Sequence, residues 1–261
     1  MTSSAVSLAE RMRASHPSMP AVSRALWQSF VVRSIRLLDG VEHRLRQESV
    51  WEDFARREGW WLTARRKATK SMAVRVPSEN AITHAIEEIA EQILRETRPD
   101  DPLSDHLRLD AQVVRPPHHR IGSSALTTDI RISSCRIEGL EMRLEAKLLF
   151  GAGDVKSHYL GSEGLLRFAD RQAPYTDKPV GSMLAYRLRG TPDEWDGRIA
   201  EQLRTMTDVR ESTSIDIGGR TILTSDLTWG EGDACRVLVL HLGMDYETDP
   251  SCRTGAPEDN G

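Results

Sequence analysis

Residues 125–150, ALTTDIRISSCRIEGLEMRLEAKLLF, decide the fold, because they read as two antiparallel strands joined by a short polar turn. Apolar and charged side chains alternate in the second strand, which is the period-2 pattern of a half-buried strand. Its apolar face consists of Met142, Leu144, Ala146, Leu148 and Phe150, and its charged face of Glu141, Arg143, Glu145 and Lys147. In the first strand, the apolar residues Leu126, Ile130 and Ile132 oppose Asp129 and Arg131. If the two polar faces coincide, Asp129, Glu145 and Lys147 converge at one spot.

Two carboxylates and an amine on one rigid sheet indicate a divalent-metal site. Glu145 and Lys147 are two residues apart on a strand, so they share a face and can address the same phosphate. Mg²⁺ prefers hard oxygen ligands and keeps several waters, so two carboxylates suffice when a substrate phosphate completes its shell. Near a metal and partly desolvated, Lys147 is expected to lose its proton more readily than a free lysine.

The D…E-x-K arrangement of Asp129, Glu145 and Lys147 resembles the PD-(D/E)XK nucleases, the restriction-endonuclease-like superfamily. The resemblance implies that Asp129 and Glu145 bind Mg²⁺, or Mn²⁺ in its place, together with the backbone carbonyl of Ala146. It also implies that Lys147 orients or activates the attacking water. Thr128 stands where the family name has Pro, a position that varies widely.

The same residues also allow an interpretation without a metal site. Glu and Lys alternate on many exposed strands, so E-x-K is a weak motif by itself. The three side chains could form a surface network of ion pairs, each worth less than about 1 kcal/mol.

The segment from Ser78 to Glu96 predicts a helix. Ser78 is a plausible N-cap after Pro77, and the apolar stripe comprises Ile82, Ala85, Ile86, Ile89 and Ile93. The resembled family often takes an acidic metal-site residue from its first core helix, and Glu79, at the edge of the stripe, is the candidate. The alternative is a first-turn acid that interacts favourably with the helix dipole.

Charge is distributed unevenly along the chain. Residues 1–76 carry 14 Lys and Arg against 7 Asp and Glu, a net +7, and the remainder carries 21 against 32, a net −11. A basic region on an acidic body can steer a polyanion, although solvated helix faces would give the same count. A helix is predicted to begin at Ala21 and end at Gly40, with a second from Val41 to about Arg57.

Two groups of residues are candidates for nucleic-acid contact. Trp60 and Trp61 stand beside the basic residues Arg65, Arg66, Lys67 and Lys70. Aromatic side chains next to a basic cluster can stack bases and neutralise phosphates, although paired Trp residues also serve core packing. Lys156 and His158 belong to GAGDVKSHY, residues 151–159, which is predicted to be a mobile loop at the rim of the sheet.

The chain is predicted to have an α/β (α+β) fold. The element order matches the restriction-endonuclease-like αβββαβ core with a mixed central sheet, preceded by a helical extension and followed by a β-hairpin. The predicted parts are a basic helical region at 1–76, a nuclease-like domain at 77–247 and a polar tail at 248–261, expected to be disordered. The hairpin is predicted to pair Thr221–Thr228 with Arg236–Leu242.

Composition sets further bounds. The 261 residues are 39% apolar and 28% charged, as in ordinary soluble proteins. No apolar run approaches the roughly 20 residues needed to cross a bilayer, and the N-terminus lacks a signal-peptide core. Three cysteines without a C-x-x-C pair fit a reduced cytoplasm, so a cytoplasmic protein without membrane contact is expected.

The phrases RFADRQAPYTDKPVGSMLAY and VLVLHLGMDY are similar to segments of bacterial nuclease subunits from antiphage defence loci, such as Hachiman-type effectors that act with a helicase. The resemblance implies a Mg²⁺-dependent DNA nuclease that serves as a defence effector. No Walker A loop occurs in the sequence, so a helicase or ATPase partner would be a separate protein. The alternative is a non-catalytic DNA-binding or scaffold subunit on the same fold.

Overall fold

A computed structural model describes the chain at residues 6–47, 49–50, 52–54, 63–65, 74–76, 78–97, 107–114, 127–170, 174–228 and 236–246. At 63–65, 74–76, 113–114 and 127–128 only the backbone is described. The strands are β1 (Val6–Ser7), β2 (Thr63–Arg65), β3 (Val74–Val76), β4 (Leu107–Val114), β5 (Thr127–Ser134), β6 (Glu141–Leu149), β7 (Val180–Arg187), β8 (Val209–Ile217), β9 (Arg220–Thr228) and β10 (Arg236–Asp245). The longer helices are α1 (Leu8–Ser15), α2 (Ala21–Leu45), α3 (Glu79–Glu96) and α4 (Pro192–Leu203).

Within the described residues, eight strands form one mixed sheet in the order β1-β8-β9-β10-β7-β6-β5-β4, and β2 pairs with β3 apart from it. β7 is parallel to both of its neighbours, β6 and β10, and β1 is parallel to β8. The other neighbouring strands of the large sheet are antiparallel. The predicted mixed α/β class is confirmed, as is the antiparallel pairing of the two strands in residues 125–150.

The sheet separates two apolar clusters. On β6, Met142, Leu144, Ala146 and Leu148 belong to the first cluster, together with Ile82, Ile86 and Ile89 of α3. The second cluster contains Trp195, Ile199 and Leu203 of α4, with Met183 and Ala185 of β7. Burying one such large apolar side chain stabilises the fold by about 1.5–3 kcal/mol. The apolar face predicted for β6 is therefore confirmed, and its charged residues point to the other side.

Helix α3 begins where the sequence predicts. The hydroxyl of Ser78 accepts a hydrogen bond from the N–H of Ala81 at 3.1 Å, which satisfies one of the donors that the first turn leaves unpaired. Most of the predicted apolar stripe is buried, Ile93 is partly buried, and the helix contacts the sheet and α2. This packing fixes the first turn of α3, which carries Glu79.

Helix α2 continues through Gly40 to Leu45, so the prediction that Gly40 ends the helix is wrong. A Cβ at this position would lie 3.4 Å from Cδ1 of Ile93, which shows how closely α2 and α3 approach each other here. Glycine inside a helix costs about 1 kcal/mol relative to alanine. The burial of α2 against α3 outweighs that local preference.

Residues 152–159 are helical, so the prediction of a mobile loop at 151–159 is wrong. A short turn, Ala152–Asp154, leads into a π-helix, Val155–Tyr159, and a 3-10 helix follows at Leu165–Ala169. Val155 and Tyr159 are buried in the second apolar cluster. Their burial orders a segment whose glycines and polar residues suggest a loop.

Strand β8 was not predicted. It forms a hairpin with β9 through Gly218 and Gly219, whose φ angles are +65° and +87°. Two positive φ angles are what a two-residue turn of type I′ requires, and glycine adopts them without strain. The predicted pairing of Thr221–Thr228 with the following strand is confirmed, and that strand extends to Asp245.

Elements from the N-terminal region join the sheet, since β1 pairs with β8 and α1 contacts β10. The division at residues 76 and 247 stays a prediction, and the tail at 248–261 lies outside the described residues. Among the described helices, none has both the length and the apolar character that a membrane crossing needs.

A buried histidine predicts an acid-sensitive fold. His241 is hydrogen-bonded through Nδ1 to the hydroxyl of Tyr159 at 3.2 Å and through Nε2 to that of Ser225 at 2.9 Å. Burial lowers the pKa of His241 from 6.5 to about 3. Between these two values the unfolded chain binds one more proton than the folded chain. The free energy of unfolding should therefore decrease as the pH is lowered from 6.5 to 3, by up to about 1.4 kcal/mol per pH unit.

Urea denaturation at several pH values measures this contribution. The variant His241→Gln, which keeps polar groups at the site but does not titrate, should show a shallower loss of stability below pH 6.5. Equal slopes for the variant and the wild type would contradict the assignment.

Candidate active site

The candidate site lies where strands β5 and β6 separate. Their pairing runs from Ser133 opposite Glu141 to Ile130 opposite Leu144 and stops there, one step before Asp129 would face Glu145. Beyond this point β5 continues along β4, and β6 continues along β7. The gap between the strands is where the predicted site residues meet.

Lys147 is at the centre of a group of carboxylates. Its Nζ lies 2.6 Å from Oε1 of Glu145 and 3.4 Å from Oε1 of Glu79. The same atom lies 4.0 Å from Oδ2 of Asp129. The structure thus brings together Asp129, Glu145, Lys147 and Glu79, from two strands and one helix.

Backbone N–H groups of β6 hold two of these carboxylates in place. Asp129 Oδ2 accepts a hydrogen bond from the N–H of Ala146 at 2.8 Å, across the gap. Glu79 Oε2 accepts one from the N–H of Leu148 at 2.9 Å. The first turn of α3 is thereby attached to the strand that carries Glu145 and Lys147.

Burial distinguishes this group from a surface ion-pair network. The side chain of Glu145 is 2% exposed, that of Lys147 13% and that of Asp129 21%. Within the described part of the chain, Oε2 of Glu145 is buried without a hydrogen-bond partner. A buried, unsatisfied carboxylate oxygen is costly for stability, which makes it a natural ligand position.

Burial, together with the neighbouring Glu145, raises the pKa of Asp129 from 3.8 to about 7, although Lys147 opposes the shift. For Lys147, burial by itself lowers the pKa, but Glu145, Glu79 and Asp129 together outweigh it, and the pKa of the amine is raised. The expectation that Lys147 loses its proton more readily beside a metal stays a prediction, because this shift belongs to the arrangement without a bound cation. Three carboxylates around one amine keep it protonated.

Two neighbours of the site were not predicted from the sequence. Arg167 Nη1 donates to Oε1 of Glu145 at 3.3 Å, and the guanidinium lies 5.3 Å from the ring centre of Tyr175. Tyr175 is fully buried, and its hydroxyl accepts a hydrogen bond from the N–H of Asp129 at 3.0 Å. Both residues precede β7, and no spacing in RFADRQAPY marks them as site residues.

The donor chemistry fits a divalent cation that prefers oxygen. Asp129 and Glu145 offer carboxylate oxygens, and Oε2 of Glu145 is buried without a hydrogen-bond partner among the described residues. The ammonium of Lys147 lies near both carboxylates, so the site stabilises positive charge. Among the described residues, no group of three or more His, Cys, Asp or Glu side chains is arranged to hold a metal ion alone. Waters and a substrate phosphate would have to complete the shell.

The candidate nucleic-acid contacts are only partly described. Arg65 belongs to β2, where only the backbone is described, and Arg66, Lys67 and Lys70 lie outside the described residues, as do Trp60 and Trp61. Lys156 and His158 are exposed on the π-helix. They stay predicted contacts.

Comparisons with protein-family models, with curated proteins and with solved structures find no match to this chain. Its function therefore has to be inferred from the side chains described above.

Proposed function

We propose that this chain is a divalent-metal-dependent nuclease that hydrolyses phosphodiester bonds in DNA. The observation that carries the proposal is the convergence of Asp129, Glu145 and Glu79 on Lys147, at the gap between two strands. The element order supports a restriction-endonuclease-like core: α3 is followed by the antiparallel β4, β5 and β6, and β7 then pairs parallel with β6.

Asp129, Glu145 and the backbone carbonyl of Ala146 would hold Mg²⁺ or Mn²⁺, with Glu79 beside them. Once bound, the ion would stabilise the negative charge that develops on the phosphate during hydrolysis. A water-poor site strengthens such charge stabilisation, and the burial of Glu145 supplies that environment.

Lys147 acts as a hydrogen-bond donor in this proposal. Without a bound cation, the carboxylates around it raise its pKa, so the amine is protonated at neutral pH. A protonated amine cannot accept a proton from water. It orients the attacking water and stabilises the anionic phosphate by donating hydrogen bonds.

We place the nuclease in a bacterial defence setting. The similarity of RFADRQAPYTDKPVGSMLAY and VLVLHLGMDY to segments of antiphage nuclease subunits supports a bacterial defence effector that works with a separate helicase or ATPase. A helicase gene beside this one would support the pairing. A locus without one would contradict it.

Cleavage of supercoiled plasmid and linear DNA tests the nuclease directly. We expect the purified wild-type protein to cleave DNA with Mg²⁺ or Mn²⁺ and to stop when EDTA is added. The variant Asp129→Asn should lower the cleavage rate by at least about 10²-fold, because it removes a charged ligand and a charge-stabilising group.

The matched control is Asp110→Asn. Asp110 lies on the adjacent strand β4 and pairs with Arg131 at 2.8 Å, outside the carboxylate group. This variant should cleave like the wild type. Equal cleavage by wild type and Asp129→Asn would contradict the proposal. DNA binding without cleavage under any metal would favour a non-catalytic subunit.

A further inference from the structure

The ring of Tyr175 is held in one position by its surroundings. It lies 4.9 Å from the ring of Phe168, centre to centre, and the N–H of Tyr175 donates to the carbonyl of Arg167 at 2.8 Å. Phe168 in turn packs over Gly181 of β7, where a Cβ would come within 2.4 Å of the Phe168 ring. The absence of a side chain at Gly181 lets the 3-10 helix approach the sheet, and this packing directs the Tyr175 hydroxyl towards the gap between β5 and β6.

The hydroxyl bridges the two strands at the point where they stop pairing. It accepts a hydrogen bond from the N–H of Asp129 at 3.0 Å and donates one to the carbonyl of Leu144 at 3.4 Å. In a continuous antiparallel ladder, backbone groups of facing strands bond to each other directly. Here one side-chain hydroxyl contacts a backbone donor on β5 and a backbone acceptor on β6, at the point where the direct pairing of the two strands ends.

This bridge determines how Asp129 faces Glu145. One further step of the ladder would place them directly opposite each other, with Cβ atoms about 4.5–5.5 Å apart and like charges together. With the strands separated, the Asp129 carboxylate instead crosses the gap to the N–H of Ala146 at 2.8 Å. The gap is bridged by the hydroxyl of Tyr175, a residue distant from both strands in sequence.

We propose that Tyr175 is a positioning residue that holds β5 and β6 apart so that Asp129 and Glu145 can share one divalent cation. The role rests on the proposed nuclease function, since it concerns the same cation site. Tyr175 acts through the backbone of Asp129 and Leu144, and its hydroxyl also interacts with the carboxylate of Glu145. Partners in a second layer around metal ligands typically change metal affinity by about 10–100-fold when they are removed.

Calorimetric titration with Mn²⁺, in the presence of non-cleavable DNA, tests this role. The variant Tyr175→Phe removes the hydroxyl and keeps the ring, and we expect its Kd for Mn²⁺ to rise by about 10–100-fold. The matched control is Tyr246→Phe. Tyr246 is also buried, and its hydroxyl donates to Sδ of Met244, away from the carboxylates. Because Tyr246 contacts neither proposed ligand, the Kd of Tyr246→Phe for Mn²⁺ should stay within about twofold of the wild-type value.

The outcomes separate this role from the proposed function. Equal Mn²⁺ affinity in wild type and Tyr175→Phe would overturn the positioning role and leave the nuclease proposal intact. A wild-type protein that binds no Mn²⁺, even with DNA, would overturn the nuclease proposal and this role with it.

Amide hydrogen exchange on the wild-type protein gives a second measurement that does not require the variant to fold. An N–H that donates to a buried hydroxyl should be protected from exchange, so we expect the Asp129 amide to exchange slowly, like that of Ile132 within the ladder. Exchange of the Asp129 amide at the rate of an unstructured peptide would show that the bridge does not form, and would overturn the role.

Discussion

Replacing Glu145 with glutamine is expected to lower the rate of DNA cleavage by about 10³-fold or more. Glu145 is the most buried carboxylate of the site and interacts with both neighbouring cations, Lys147 at 2.6 Å and Arg167 at 3.3 Å. Its second oxygen is buried and has no hydrogen-bond partner among the residues that the structure describes. Glutamine preserves the size of the side chain but removes its charge, so it weakens the affinity for a cation and releases the ammonium of Lys147.

The control for this variant is Glu141→Gln. Glu141 lies on the same strand and the same face, and its Oε1 accepts from Arg143 at 2.6 Å, so it is another carboxylate paired with an arginine. It is four residues from Glu145, or about 13 Å along an extended strand. Cleavage rates measured under identical Mg²⁺ concentrations should be unchanged in Glu141→Gln. A comparable loss of cleavage in both variants would mean that the rate depends on the overall negative charge of β6 and not on Glu145 in particular.

Replacing Lys147 with methionine is expected to lower the free energy of unfolding by about 3 kcal/mol at neutral pH in the absence of metal. Removal of Lys147 leaves the carboxylate of Glu145 buried, with Arg167 as its remaining cationic partner in the described part of the chain. Asp129, whose pKa is already about 7, can take up a proton and relieve part of the repulsion. The effect should therefore lie at the lower end of the range for broken buried ion pairs.

A double-mutant cycle by urea denaturation measures the coupling. The double variant Glu145→Gln/Lys147→Met removes both charges, so it should be more stable than the sum of the single effects predicts, by at least about 1 kcal/mol. Lys178→Met is the control, because Lys178 pairs with the exposed Asp177, and its effect should stay within about 0.5 kcal/mol. Additive single effects at Glu145 and Lys147 would mean that the two charges do not interact in the folded protein.

Local sequence signals predicted the parts of the fold that depend on neighbouring residues. The alternation in residues 141–150 is visible in the sequence because each side chain points opposite to the one before it. The N-cap of α3 follows from Ser78, which stands just before the apolar stripe. The convergence of Asp129, Glu145 and Lys147 was predictable for the same reason, because register and alternation together fix which residues share a face.

Features that depend on distant contacts were not predictable in this way. Gly40 reads as a helix end, but its close approach to Ile93 is set by the packing of two helices. The π-helix at 155–159 is ordered by the burial of Val155 and Tyr159, which the local sequence does not predict. Strand β8 was also not predicted, but here the local sequence does carry a signal. Gly218 and Gly219 lie between two alternating segments, which is a recognisable pattern of a hairpin.

The electrostatic state of the site also depends on three-dimensional distances. From sequence, a lysine beside a metal site is expected to lose its proton more easily. The structure places three carboxylates within 4.0 Å of the Lys147 amine, and they raise its pKa. Glu79 comes from a helix 66 residues earlier in the chain than Glu145; the sequence made it a candidate for the site, but its distance from the Lys147 amine depends on the packing of that helix.

Anomalous diffraction from crystals of the wild-type protein grown with Mn²⁺ tests the central claim most directly. If Asp129 and Glu145 form one cation site, an anomalous peak will lie between their carboxylates, with the amine of Lys147 moved away from Glu145. The absence of a peak at this position at saturating Mn²⁺ would contradict the account.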